Sequence, residues 1–264
     1  MKMIQIFLLS LVGFSCANDN TRVETQTAKD MMVGHWVATD VLRVVLHYVP
    51  QYVAQGSNID SVATLSANPV LSNNTYPKKI IIDFKGGKTD ERGYNRSGKI
   101  VVGLTDSKVL KANFSISFLD YSVNGKRVQG IMNIAYSNSG SQPNYLLTLS
   151  DSSKWVTANG PASQKGTLSY SRTSNQGTLE VNDDLYSLIT DVEGEDEAGM
   201  TYQGKSEGNL LIDFACANLI LSGSSSLTPA KGELQTLVIG DDKLCDDIVE
   251  VQVGGETSAY ISFD

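Results

Sequence analysis

Histidine, cysteine and basic charge are all scarce in this chain of 264 residues. Two His and three Cys leave too few side chains for most metal sites or Cys–His nucleophilic arrangements. Charged residues make up 19% of the chain, below the roughly 25% of an average soluble domain. Hydrophobic residues reach 41%, so general disorder is excluded and a core can form without a metal staple. Proline (6) is far outnumbered by glycine (23), which favours tight turns over stiff linkers. Against 29 Asp and Glu stand only 21 Lys and Arg, a net charge of −8. Such a chain repels phosphate backbones, and no nucleic-acid partner is expected.

What is present begins at the N-terminus. Met1-Lys2-Met3 is a short basic lead, and residues 4–14 form an apolar stretch interrupted by Gln5, Ser10 and Gly13. Spanning a bilayer takes about 20 residues, whereas a secretory signal core takes about 7 to 15. Leu11-Val12-Gly13-Phe14-Ser15-Cys16 then resembles the lipobox of bacterial lipoproteins, with Phe14 bulkier than the commonest residue at its position. The resemblance implies that residues 1–15 are a signal peptide, that Cys16 carries acyl chains such as palmitate, and that residues 16–27 are a polar tether. Each buried methylene of such chains contributes about 0.8 kcal/mol to membrane attachment. Loss of Lys2 leaves 20 basic against 29 acidic residues, net −9. Acyl chains rather than a basic face therefore do the attaching.

Residues 28–55 have a helical pattern. Trp36, Val37, Val41, Leu42, Val44, Val45, Leu46, Val49 and Tyr52 make an apolar arc too broad for a lightly docked surface helix. Thr39-Asp40 reads as a cap inside the stretch, and Pro50 is expected to stop or kink the helix near Tyr48. A polar connection follows to Tyr76. From residue 77 to 264 short β-type runs separated by turn residues succeed one another. Phe114, Ile116 and Phe118 alternate with Ser115 and Ser117, which marks a strand with one dry face. Asn124-Gly125 predicts a type I′ hairpin, and Gly254-Gly255 turns the last one. No βαβ alternation occurs, so a Rossmann or TIM architecture is not expected. The reading is mainly β: an antiparallel meander, sandwich or open barrel of about 12 strands with an N-terminal helix packed on it.

Three segments, Tyr76-Pro77-Lys78-Lys79-Ile80-Ile81-Ile82-Asp83-Phe84, Arg96-Ser97-Gly98-Lys99-Ile100-Val101-Val102 and Val123-Asn124-Gly125-Lys126-Arg127-Val128-Gln129-Gly130, resemble the core of a group of uncharacterised lipoproteins of the Bacteroidota. Gly240-Asp241-Asp242-Lys243-Leu244-Cys245-Asp246-Asp247 resembles that group's C-terminal hairpin. The likeness covers residues 76–264 and implies a secreted, lipidated, β-rich protein without indicating an activity. Members of the group carry an additional cysteine pair, and this chain has no Cys between 60 and 95.

Cys216 and Cys245 remain once Cys16 is acylated, and in an oxidising envelope an even pair reads as a disulfide. His35 and His47 lie twelve residues apart, about 18 Å along a straight helix, and cannot share one metal. Acids cluster at Asp191-Val192-Glu193-Gly194-Glu195-Asp196-Glu197 and around Cys245, at Asp241, Asp242, Asp246 and Asp247. Neither cluster has the register of a calcium loop, and both read as solvated acidic loops. Trp155 with Tyr145, or Tyr202 with Tyr260, are candidates for stacking on sugars, with core packing the alternative. Asp60-Ser61-Val62 fits a short O-glycosylation tripeptide. No catalytic residue, metal ligand or cofactor is assigned. The expected function is a non-enzymatic β domain, lipid-anchored in the cell envelope at the outer membrane, that binds a glycan, lipid or protein. Alternatives are a glycan-active hydrolase using Asp and Glu, or a lipid carrier with a cavity between helix and sheet.

Overall fold

The computed structural model describes residues 25–73, 75–105, 113–139, 142–174, 181–240 and 245–263. Its first element is a single long helix, α1 (Thr25–Gln55), about 46 Å from end to end. Every residue from 31 to 46 is buried. Sixteen consecutive buried residues cover more than four turns, so the helix meets protein on all sides rather than along one stripe. Six buried valines within that helix (Val33, Val37, Val41, Val44, Val45 and Val49) disfavour an isolated helix through their stiff side chains. Burial on every side overrides that preference.

Pro50 lies inside α1 and does not end it. Its ring removes the hydrogen bond to the Leu46 carbonyl, yet Val49 and Tyr52 stay in the core and hold the last turn. The helix closes where Gly56 N donates to Tyr52 O at 2.8 Å, with Gly56 in the left-handed region at φ 70°.

Among the described residues, seventeen strands follow in one antiparallel sheet. The first half comprises β1 (Thr64–Asn68), β2 (Lys78–Asp83), β3 (Lys88–Thr89), β4 (Asn95–Leu104), β5 (Phe114–Val123), β6 (Lys126–Gln129), β7 (Ile131–Ser139), β8 (Gln142–Leu149) and β9 (Lys154–Val156). The second comprises β10 (Pro161–Ser174), β11 (Leu185–Glu195), β12 (Thr201–Ser206), β13 (Leu210–Asp213), β14 (Ile220–Pro229), β15 (Gln235–Ile239), β16 (Ile248–Val253) and β17 (Glu256–Ser262). Ladders run β1–β2–β4–β5–β7–β8–β10–β11. They continue through β12 and β13 to β14, β15, β16 and β17. No ladder joins β1 to β17 among the described residues, so the sheet stays open there.

The expected alternation sets the register. Ile80 and Ile82 on β2 stand opposite Val102 and Ile100 on β4, and Val102 stands opposite Ile116 on β5, all of them buried. Asn124 (φ 47°) and Gly125 (φ 76°) turn β5 into β6 as a type I′ hairpin requires. Four of these strands, β1, β3, β9 and β12, have no counterpart among the β-type runs of the sequence. β1 falls in the stretch read as a polar connection. β12 (TYQGKS) is nearly all polar because its inward positions are Tyr202 and Gly204, and at Gly204 the helix comes too close for a side chain. A Cβ there would sit 2.1 Å from Met31 Sδ.

Both halves of the sheet touch α1. On one side Trp36 stacks on Tyr94 (5.6 Å between rings) and Tyr48 meets Phe84 edge-on (6.1 Å). On the other, β10, β12, β14 and β17 lie against it. Helix and sheet share one hydrophobic core. Cys216, in the turn after β13, and Cys245, before β16, form a disulfide with their Cα atoms 5.5 Å apart.

Candidate functional site

The apolar run of α1 is broken by four polar residues, His35, Thr39, Asp40 and Arg43, each of them at most 3% exposed. His35, Thr39 and Arg43 follow one another at intervals of four and so line one stripe of the helix. His35 donates from Nδ1 to the Met31 carbonyl (2.8 Å), and its Nε2 has no partner among the described residues. Burial pushes its pKa down to about 4, so the ring is neutral at neutral pH. Beside it, Tyr202 OH donates to Gln164 Oε1 at 3.1 Å. Thr39 is not a cap: its hydroxyl donates to the His35 carbonyl (2.7 Å) and meets Tyr170 OH (2.9 Å).

Next comes an ionic cluster. Asp40 Oδ1 accepts from Arg43 Nη2 at 2.8 Å and from Arg96 Nη2, on β4, at 2.6 Å. Arg96 also donates through Nη1 to Asp90 Oδ2, in the turn between β3 and β4. Asp90 Oδ1 accepts the backbone N–H of Arg92 and of Tyr94, each at 3.0 Å. Both guanidinium groups lie 4.6 Å from the Tyr94 ring centre, near enough for cation–π attraction. Burial alone would raise the Asp40 carboxyl; Arg96 and Arg43 outweigh it and hold Asp40 below its ordinary value. The cluster is neutral, two Arg against two Asp, but several buried atoms in it lack partners among the described residues: Arg43 Nε and Nη1, Arg96 Nε and Asp40 Oδ2.

This cluster borders a cavity of about 440 Å³, which lies within the range of small-molecule sites. Arg43, His47 and Tyr48 of α1 form one wall, the loop at residues 59–62 a second, and residues 89–92 a third. Asp60 holds its loop in place: its carboxylate accepts from Tyr48 OH (2.8 Å) and from the backbone N–H of Val62 (2.8 Å) and Ala63 (3.2 Å). Two further cavities, of about 540 and 630 Å³, share Glu193, Gln203 and Thr228 on the outer face of the sheet. There Lys165 pairs with Glu193 (3.0 Å) and Asp151 (3.2 Å).

Comparisons with family models, curated proteins and solved structures find no match.

Of the residues singled out in the sequence, Cys16, Asp241 and Asp242 lie outside the described residues. Cys216 and Cys245 are brought together. The acidic run at 191–197 is not a free loop. Asp191, Glu193 and Glu195 point outward from β11, while Asp196 is buried. Asp196 accepts from Thr27 Oγ1 (2.6 Å) and from the N–H of Ala198 and Met200, tying the start of α1 to the β11–β12 turn. Trp155, Tyr145 and Tyr202 are buried, whereas Tyr260 is exposed. No cluster of His, Cys, Asp and Glu among the described residues could hold a metal ion, and no described helix is long and apolar enough to cross a membrane.

Composition and motif spacing pass over the ionic cluster. Its one local trace is Asp40 and Arg43 standing three apart in an otherwise apolar helical run. Their partner Arg96 lies more than fifty residues away, and only the folded sheet brings it to them.

Proposed function

We propose that this protein is a lipid-anchored envelope protein, held at the outer membrane through Cys16, whose β domain binds a small polar ligand. The attachment rests on the order of basic lead, apolar core, Ser15 and Cys16 in the sequence. The binding role rests on one observation, the cavity lined by Arg43 and Arg96 beside their buried ion pair with Asp40. A buried ion pair contributes less to stability than well-packed apolar side chains of the same size, and unpartnered guanidinium nitrogens cost about 1 to 3 kcal/mol each. A fold that keeps such a group beside an open cavity has a use for it other than stability. Binding is favoured over hydrolysis because two of the cavity's carboxylates are engaged, Asp90 with Arg96 and Asp60 with Tyr48 and the backbone N–H of Val62. Lipid carriage has less support, since α1 meets the sheet without a gap at Gly34 and Gly204.

Two experiments test the proposal. Radiolabelled palmitate is expected to enter wild type and not Cys16→Ala, and protease shaving of intact cells tells the leaflet; an unlabelled wild type removes the anchor. A panel of sugars, amines and acids is then titrated while the side-chain N–H signals of Arg43 and Arg96 and the ring signals of His47 are followed by NMR. At least one compound is expected to move these signals. Their indifference to every compound removes the binding role.

A further inference from the structure

The outward side of the sheet has one region without charge. Successive residues of a strand point to opposite faces, and the ladders joining β7, β8, β10 and β11 align their outward residues in rows. The central row is Ala135, Leu146, Ser169 and Ile189. The rows on either side, from Ser115 to Thr167 and from Ser137 to Ser187, contain only Ser, Thr and Asn. Three rows of four thus hold no ionisable side chain, where an ordinary surface carries about 25 to 35% Lys, Arg, Asp and Glu. Charge returns beyond them, at Asp191 and at the Lys165–Glu193 pair. Ile131 and Leu119 extend the region along β7 and β5. Together with Leu146 and Ile189 they are half of the eight large hydrophobic side chains exposed among the described residues.

Exposed apolar side chains on a surface depleted of charge are the compositional mark of a protein interface. Membrane and sugar are poorer occupants, because the three rows hold no Lys or Arg to meet anionic lipid and no aromatic ring to stack on a sugar. A second copy suits the region for two reasons. Each chain carries a net charge of −8, so two copies repel through any acidic face and meet at lowest cost through an uncharged one. The central row is also self-complementary. Leu146 and Ile189 stand one strand to either side of Ser169. A two-fold axis along β10 therefore lays Leu146 of each copy against Ile189 of the other, and the small Ser169 side chains leave room for them. Five strands about 4.8 Å apart, with outward residues about 6.8 Å apart, give a plan area of about 500 Å². Side-chain relief brings its accessible area towards the roughly 800 Å² per partner of a standard interface. We infer that two copies of this chain associate face to face through β7, β8, β10 and β11, with Leu146 against Ile189.

The test is sedimentation equilibrium of the full-length protein in density-matched detergent, with micelles in excess of protein. A reversible monomer–dimer equilibrium is expected. The double variant Leu146→Lys with Ile189→Lys sets like charges against each other across the axis and is expected to raise the dissociation constant at least tenfold. Leu146→Lys with Ile189→Asp sets opposite charges against each other and is expected to restore dimers to within about threefold of wild type. Both side chains are exposed, so neither variant disturbs the core, and unchanged urea midpoints check this. Leu234→Lys, exposed but between β14 and β15, is expected to leave the equilibrium alone. A chain that stays monomeric at every concentration overturns the inference. So does a dimer indifferent to the double lysine variant, or one weakened as much by Leu234→Lys. Failure of the Lys–Asp variant to recover dimers overturns the pairing of Leu146 with Ile189. Binding of maltohexaose by a monomer, lost in the double lysine variant, assigns the face to sugar instead.

Discussion

Between pH 6.5 and about 4, acidification should weaken this fold through His35. The ring is fully buried against Met31 and Gln164, and burial depresses its pKa from 6.5 to about 4. Below pH 6.5 the unfolded chain takes up a proton that the native protein refuses until about pH 4. The stability tied to the neutral ring is thus complete above pH 6.5 and lost on the way down to about 4. The drop from 6.5 to about 4, at 1.36 kcal/mol per pH unit, comes to about 3 kcal/mol. Asp40, held below its ordinary value by Arg96 and Arg43 against the cost of burial, destabilises in acid too, but only below the ordinary carboxylate range. Asp30 and Asp184, whose carboxyls burial raises, act in the opposite sense as pH falls. These groups are common to wild type and variant and cancel in a difference. The assay is urea denaturation of wild type and His35→Gln at half-unit steps from pH 7.5 to 4. Their stability difference should shift by about 3 kcal/mol in favour of the variant across that window. Parallel profiles would refute the account, because a ring free to protonate in the fold contributes no slope.

Asp40→Asn leaves Arg43 and Arg96 facing each other without their shared counter-ion. It should cost about 3 to 5 kcal/mol by denaturant titration, and a loss under 1 kcal/mol would mean that water already screens the cluster. Gly34→Ala would improve helix propensity, but its Cβ would come within 2.4 Å of Gln164 Oε1 and Trp155 Cη2. Net destabilisation of about 1 to 3 kcal/mol is expected, and a raised melting temperature would contradict the close packing of helix on sheet. Replacing both Cys216 and Cys245 by Ser opens a loop spanning 29 residues of separation. It should lower stability by about 3 to 4 kcal/mol on the chain-entropy view, with unchanged stability on reduction as the contrary result.

Local patterns in the sequence determined the fold class. Alternation at Phe114, Ile116 and Phe118 needs only a sheet with one wet face, and Asn124-Gly125 needs only its own backbone geometry to join two neighbouring strands. The pairing of Cys216 with Cys245 followed from counting thiols and is borne out. The N-terminal helix and its end at Gln55 were legible from the apolar pattern, but the passage through Pro50 was not, because Val49 and Tyr52 hold a turn past Pro50 only when a core surrounds them. β12 was missed because its inward face is shaped by contact with Met31 rather than by hydrophobic residues of its own. The candidate site depended most on tertiary structure. Asp40 looked like a cap, Arg96 like one residue of a strand motif and Asp60 like part of a glycosylation tripeptide. A charge becomes a site only when burial removes water and a distant partner arrives. Curvature of the sheet around α1 does both, setting Arg96 2.6 Å from Asp40 across 56 residues of chain.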